Sequence, residues 1–222
     1  MNSGSGLVET WIPDGGFEIQ RRKAKTPEGG TVVTDCLVPK WSGDDLTADR
    51  PLHRQPCLHR SLADCPPDAD GILQFAGRYG LLTVSLLRVP EFGRVVRAEV
   101  LPPEQLDIWR REIRALRACT DLWEMIAGGN SDAADLLNRK LAEKLAGARF
   151  QLTAWPEGGR FQICYRPARL IDALWQRFAE EIAGVIQCAR CPAPRCGRWF
   201  LRSAAGSDRP VLLPGMPDEG LA

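Results

Sequence analysis

Four stretches of this chain repeat their apolar residues at every third or fourth position, and that spacing commits most of its length to packed helices. The first opens at Pro66-Pro67-Asp68 and carries Ile72, Phe75, Ala76 and Tyr79 before Gly80 stops it. The second begins near Pro103-Glu104, sets Leu106, Trp109, Ile113, Leu116, Trp123 and Ile126 on one face, and ends at Gly128-Gly129. Asn130-Ser131-Asp132 caps a third, with Leu136, Leu137, Leu141 and Leu145, which ends at Gly147. The fourth follows Pro167, and its stripe of Leu170, Leu174, Phe178, Ile182 and Val185 runs up to a cysteine cluster. The aromatic members of these stripes read as core.

Strand signals are shorter. Trp11-Ile12, Phe17-Glu18-Ile19 and Thr31-Val32-Val33 are separated by the turn sequences Pro13-Asp14-Gly15-Gly16 and Pro27-Glu28-Gly29-Gly30. The basic run from Arg21 to Lys25 beside them reads as a solvated strand end. Phe150, Leu152 and Ala154 alternate with polar neighbours, Pro156-Glu157-Gly158-Gly159 turns the chain, and Phe161, Ile163 and Tyr165 alternate back as a hairpin. The expected fold is mainly α with small antiparallel β pieces, an α+β arrangement in three parts. Residues 1–50 form an irregular, β-containing N-terminal segment, 51–187 a helical core with a hairpin near 149–165, and 188–222 an incomplete zinc-finger-like tail.

Several classes of function have no sequence support. A net charge of +1 over 222 residues favours no partner, so any nucleic-acid contact must rest on a local patch. No run of about eighteen apolar residues occurs, and the first sixteen residues lack the basic and apolar regions of a secretory signal. The expectation is a cytoplasmic protein with no membrane partner. P-loop, GxGxxG, HExxH and GxSxG motifs are all absent, so no enzyme is expected. The acid pair Glu180-Glu181 reads as solvated charge on a helix.

Without an export signal, the eight cysteines read as reduced thiols, with Cys36, Cys119 and Cys164 as small buried side chains. Cys188, Cys191 and Cys196 fall within nine residues. A zinc knuckle needs two thiolates on a tight turn, with a glycine that lets the backbone bend beneath the metal. Cys191 and Cys196 flank Pro-Ala-Pro-Arg and precede Gly197 in that way, while Cys188 and Cys191 form a CxxC pair, so the ligand assignment within the trio stays open. His53, Cys57, His59 and Cys65 also have ligand chemistry within thirteen residues, but their spacing matches no common zinc pattern and they read as surface or core residues.

No Cys or His follows Cys196, although a structural zinc site wants four ligands. Back-translation and a shift by one base supply the missing half. Met216-Pro217 then forces a cysteine and Glu219-Gly220 forces a lysine or arginine, and the codons from Pro210 onward permit Arg-Tyr-Cys-Ser-Arg-Ala-Cys-Arg-Thr-Arg-Ala. We read the C-terminus as a shifted reading frame that removes a second knuckle.

The segment Cys191-Pro192-Ala193-Pro194-Arg195-Cys196-Gly197-Arg198-Trp199-Phe200, with Leu174-Trp175 before it and Phe75-Ala76-Gly77-Arg78-Tyr79-Gly80-Leu81-Leu82 upstream, resembles a group of uncharacterised bacterial proteins that end in a CGNR-like zinc finger. The resemblance covers most of the chain from about Pro51, and the second cysteine pair is where the chain departs from it. It implies a zinc cofactor and a DNA-binding role in transcription regulation. Local charge agrees with that role: Arg190, Arg195, Arg198, Arg202 and Arg209 surround the cysteines, with Asp208 alone opposing them. The competing expectation is a protein-interaction module, binding another protein or a second copy of itself, in which a metal knuckle merely staples the C-terminus.

Overall fold

The computed structural model describes residues 8, 10–25, 29–40, 46–83, 89–91, 94–96, 103–147, 150–154, 161–165, 167–193 and 196–202. The chain begins in strands: β1 (Thr10–Pro13), β2 (Phe17–Lys25), β3 (Thr31–Pro39) and β4 (Leu46–Asp49). Two short helices, α1 (Pro51–Arg54) and α2 (Leu58–Asp64), lead into α3 (Ala69–Tyr79). After the short strands β5 (Val89–Glu91), β6 (Arg94–Val96) and β7 (Glu104–Gln105) come the long α4 (Leu106–Ala127) and α5 (Asp132–Leu145). The hairpin β8 (Phe150–Ala154) and β9 (Phe161–Tyr165), then α6 (Leu170–Ile182), then β10 (Cys188–Arg190) and β11 (Trp199–Leu201) complete the described order. The strands pair as β1-β4, β2-β3-β7, β5-β6, β8-β9 and β10-β11, every pair antiparallel. The fold is therefore mainly α with small antiparallel sheets, as the periodicity predicts. Among the described residues no helix is long and apolar enough to cross a membrane.

Local chemistry explains the boundaries. The Asp68 carboxylate accepts from Gly71 N at 2.8 Å to cap α3, and Gly80, at φ +86°, ends it in the left-handed region. Asn130 Oδ1 accepts from Asp132 N at 3.1 Å at the start of α5. The β8-β9 register pairs Phe150 with Tyr165, Leu152 with Ile163 and Ala154 with Phe161, the alternation read from sequence.

One core joins all of these helices. Ile72, Phe75 and Ala76 of α3, Trp109, Ile113 and Leu116 of α4, Leu137 of α5, and Leu174, Trp175 and Phe178 of α6 close on Leu58 and Leu62 of α2. Leu37 of β3 joins the same cluster, which ties the N-terminal strands to the helical part.

Three expectations need correction. Leu136 is exposed, and its neighbour Leu137 takes the core position, because α5 meets α4 and α6 along a narrower stripe than four leucines fill. Val185 lies beyond the end of α6 and is 60% exposed. The helix expected from Pro103-Glu104 starts instead at Leu106, since Glu104 and Gln105 pair with Leu37 and Cys36 of β3. Buried Glu104 is an acceptor hub there: Leu82 N at 3.1 Å, Thr83 N and Oγ1 at 2.5 Å each, and Trp109 Nε1 at 2.7 Å donate to its carboxylate.

Candidate functional site

Helix α2 is only seven residues long and is covered on both sides. Leu58 and Leu62 enter the core, while His59 and Arg60 face the C-terminal end of α6 and the β10-β11 hairpin. Cys57 is its N-cap residue. Glu181 sits in the last turn of α6, three residues after the core residue Phe178, whose ring lies 6.2 Å from the His59 ring.

These elements bring five chemically active side chains together. Cys57 and Cys188 are joined as a disulfide, with their Cα atoms 6.0 Å apart. His59 Nε2 lies 2.6 Å from Glu181 Oε2 and 3.9 Å from Cys188 Sγ. Arg60 grips the same carboxylate: Nε donates to Oε2 at 2.9 Å and Nη2 to Oε1 at 2.8 Å. The His59, Arg60 and Glu181 side chains are 1%, 7% and 8% exposed, so the cluster is shielded from water. His59, Glu181 and Cys188 each offer one donor atom within 4.8 Å of the others, a nitrogen, oxygen and sulfur set with metal-ligand chemistry once the sulfur is released from the disulfide as a thiolate.

Burial sets the electrostatics. Loss of hydration holds His59 below its ordinary pKa, and its hydrogen bond to Glu181 only partly opposes that. The ring donates its Nε2–H to Glu181, since a carboxylate can only accept, and buried Nδ1 has no partner among the described residues. For Glu181, burial pushes the carboxyl upward, but hydrogen bonds from His59 and Arg60, and then the charges of those same two partners, outweigh it and leave the group below its ordinary value.

The hairpin docks on α2 through one face. Cross-strand partners share a face, and alternate residues along a strand share it too, so Cys188 and Arg190 stand with their partners Leu201 and Trp199. Cys188 meets Cys57, Trp199 Nε1 donates to Asp64 at 2.8 Å, and the Arg60 guanidinium lies 5.1 Å over the Trp199 ring. Gln55 Nε2 donates to the Trp199 carbonyl at 3.0 Å, and Arg190 Nη2 lies 3.8 Å from Asp64. Ala189 and Phe200 alternate onto the other face.

No family model, curated protein or solved structure matches this chain. Its functional reading rests on its own residues.

The structure separates the cysteine trio. Cys191 and Cys196 are free thiols that hydrogen-bond at the turn of the hairpin, where Cys191 N donates to the Arg198 carbonyl at 2.8 Å. Exposed Cys196 is held below the usual thiol pKa, first by a backbone hydrogen bond from Arg198, then by Cys191. Cys188 does not join them, because the strand alternation turns it inward to Cys57. The eight cysteines are therefore not all reduced thiols in this structure. Arg190, Arg198 and Arg202 are exposed on the hairpin, while Arg195 and Arg209, and the tail that carries the frame-shift reading, lie outside the described residues.

Two further readings change. Glu181 is a buried partner of His59 and Arg60 rather than solvated charge, and Glu180 pairs with Arg177 at 2.8 Å. Of His53, Cys57, His59 and Cys65, only Cys57 and His59 reach the cluster. His53 is exposed, and Cys65 is buried elsewhere with its thiol pushed up to about 11, mainly by burial. The signal that could have found the site is the Cys-x-His pair at 57–59, which becomes informative only when α2 is set against α6.

Proposed function

We propose that this chain is a DNA-binding regulatory protein in which the helical core carries the β10-β11 hairpin, and the hairpin meets the phosphate backbone through Arg190, Arg198 and Arg202. The observation that carries this reading is the one-sided docking of the hairpin. Cys188, Trp199 and the Gln55 contact occupy its inner face, Arg190 sits at the rim of that face beside Asp64 with its side chain 62% exposed, and Arg198 and Arg202 stand exposed near the Cys191–Cys196 turn. No acidic residue falls between Gln187 and Arg202, so the described segment is uniformly basic. Zinc is the cofactor we assign to this reading, since paired thiols on a glycine-bearing turn suit that ion and Gly197 adopts φ +60° there.

The test is the salt dependence of binding to a labelled DNA duplex, read by fluorescence anisotropy on zinc-loaded protein. Each phosphate contact contributes a slope of about −0.9 in log K against log salt, so three arginines give about −3. Replacing Arg190, Arg198 and Arg202 by Gln should bring that slope toward zero. Absence of binding at low salt would contradict the reading. It would leave the protein-interaction alternative, which the exposed Val185 at the root of the hairpin favours.

A further inference from the structure

We propose that, with its sulfurs reduced, the cluster of Cys57, His59, Glu181 and Cys188 binds one divalent cation of the zinc type, and that metal binding and the Cys57–Cys188 disulfide are alternative states of this one site. The proposal does not rest on the nucleic-acid reading, and it uses different residues from the Cys191–Cys196 turn.

Donor chemistry is the first argument. Two sulfurs, one imidazole nitrogen and one carboxylate oxygen make a four-ligand set of the kind tetrahedral zinc takes. They come from the start of α2, the end of α6 and β10, and the tertiary fold already brings them together. The imidazole is oriented from its Nε2 edge, which faces both Glu181 Oε2 at 2.6 Å and Cys188 Sγ at 3.9 Å. Small shifts would let an ion enter between these atoms.

Burial is the second. A disulfide is uncharged and donates no hydrogen bond, so a disulfide alone gives no reason to place a carboxylate and an imidazole, 8% and 1% exposed, beside it. A divalent ion does. Charge also balances in both states. In the oxidised state Arg60 neutralises Glu181. In the metal state two thiolates cancel the ion's two charges, and Arg60 still neutralises Glu181. The grip of Arg60 on both carboxylate oxygens is the outer-shell hydrogen bonding that orients a ligating carboxylate.

The exchange is chemically complete with a peroxide as oxidant. Metal binding releases one proton from each thiol and shifts the His59 ring proton from Nε2 to Nδ1, which frees the Nε2 lone pair to ligate. On oxidation one thiolate attacks the peroxide and breaks its O–O bond, giving a sulfenic acid and water, and the second thiolate displaces the sulfenic oxygen to form the disulfide. Two electrons pass from sulfur to peroxide, two protons are taken up, two waters form, and the ion leaves with its thiolate ligands gone. Either state ties the hairpin to α2, and a reducing compartment favours the metal state.

The experiment is titration of the reduced full chain with Zn²⁺ against a chromophoric chelator, with Co²⁺ as the spectroscopic probe. The Cys191→Ser/Cys196→Ser double variant should keep one equivalent of metal per chain and the absorption of tetrahedral thiolate-ligated cobalt. Cys57→Ser and Cys188→Ser should each weaken binding by more than about 100-fold, beyond the range typical of an outer-shell change. Glu181→Gln, the mildest change, should weaken it by at least about 10-fold. One equivalent of hydrogen peroxide should release the ion and restore the Cys57–Cys188 bond. Loss of all tight metal in the Cys191/Cys196 double variant, or undiminished binding in both Cys57→Ser and Cys188→Ser, would overturn the proposal.

Discussion

Glu181 holds the α2-α6-hairpin junction together, and its removal gives the sharpest stability test. In oxidised, chelator-treated protein, Glu181→Ala strands the Arg60 guanidinium, whose side chain is 7% exposed, and takes the acceptor from His59 Nε2. Among the described residues, what remains for Arg60 is Glu124 at 3.5 Å, itself 67% exposed, and the face of Trp199 at 5.1 Å. The first is a screened surface pair worth less than about 1 kcal/mol, and the second contributes about 0.5–2 kcal/mol. Breaking a buried pair from one side costs about 3–5 kcal/mol. With a urea dependence of about 2 kcal/mol per molar, the unfolding midpoint should fall by about 1.5–2.5 M with the slope unchanged. Glu181→Leu combined with Arg60→Met should recover most of that loss, because replacing both charges with apolar groups leaves neither one stranded. A midpoint for Glu181→Ala within about 0.5 M of the parent would refute the reasoning.

Glu104→Gln turns an all-acceptor carboxylate into a group with two donors opposite Leu82 N, Thr83 N and Trp109 Nε1, and should lower stability by about 1–3 kcal/mol in denaturant titrations. Burial holds the Glu104 carboxyl above its ordinary 4.5, so the folded state binds that proton more tightly than the unfolded state. Its ionisation therefore erodes stability as pH rises above 4.5, a slope the Gln variant should lack. Iodoacetamide at neutral pH should label exposed Cys196 first in chelator-treated protein. Buried Cys65, with its thiol pushed up to about 11, should label only on unfolding, as peptide mass spectrometry will show. Gly80→Ala would put a Cβ 2.7 Å from Thr10 Cβ at a φ of +86°, and should lower the melting temperature by about 4 °C or more.

The long elements were legible because a 3.6-residue period repeats several times within them. Helices α3, α4, α5 and α6 run for 11 to 22 residues, and their stripes name most of the core. Helix α2 was not legible. Seven residues hold barely two turns, and Leu58 and Leu62 alone cannot set a phase while His59 and Arg60 are buried as well. The same shortness hid the candidate site, whose two halves, at 57 and 59 and at 181 and 188, lie more than a hundred residues apart along the chain. Glu181 looked like surface charge because helical position alone does not reveal that Arg60 and His59 wait opposite it. Cys188 looked like part of the knuckle because sequence spacing groups it with Cys191. Strand alternation, which sends Cys188 and Arg190 toward α2, becomes decisive only once β10 is known to pair with β11.

The most direct measurement is the thiol pairing of the intact chain, read by non-reducing tryptic mass spectrometry. Cleavage after Arg54, Arg60, Arg177 and Arg190 isolates residues 55–60, which contain Cys57, and residues 178–190, which contain Cys188. Peroxide-treated protein should yield these two peptides joined, with Cys191 and Cys196 outside the link. A disulfide between Cys188 and either Cys191 or Cys196, with Cys57 left free, would contradict it.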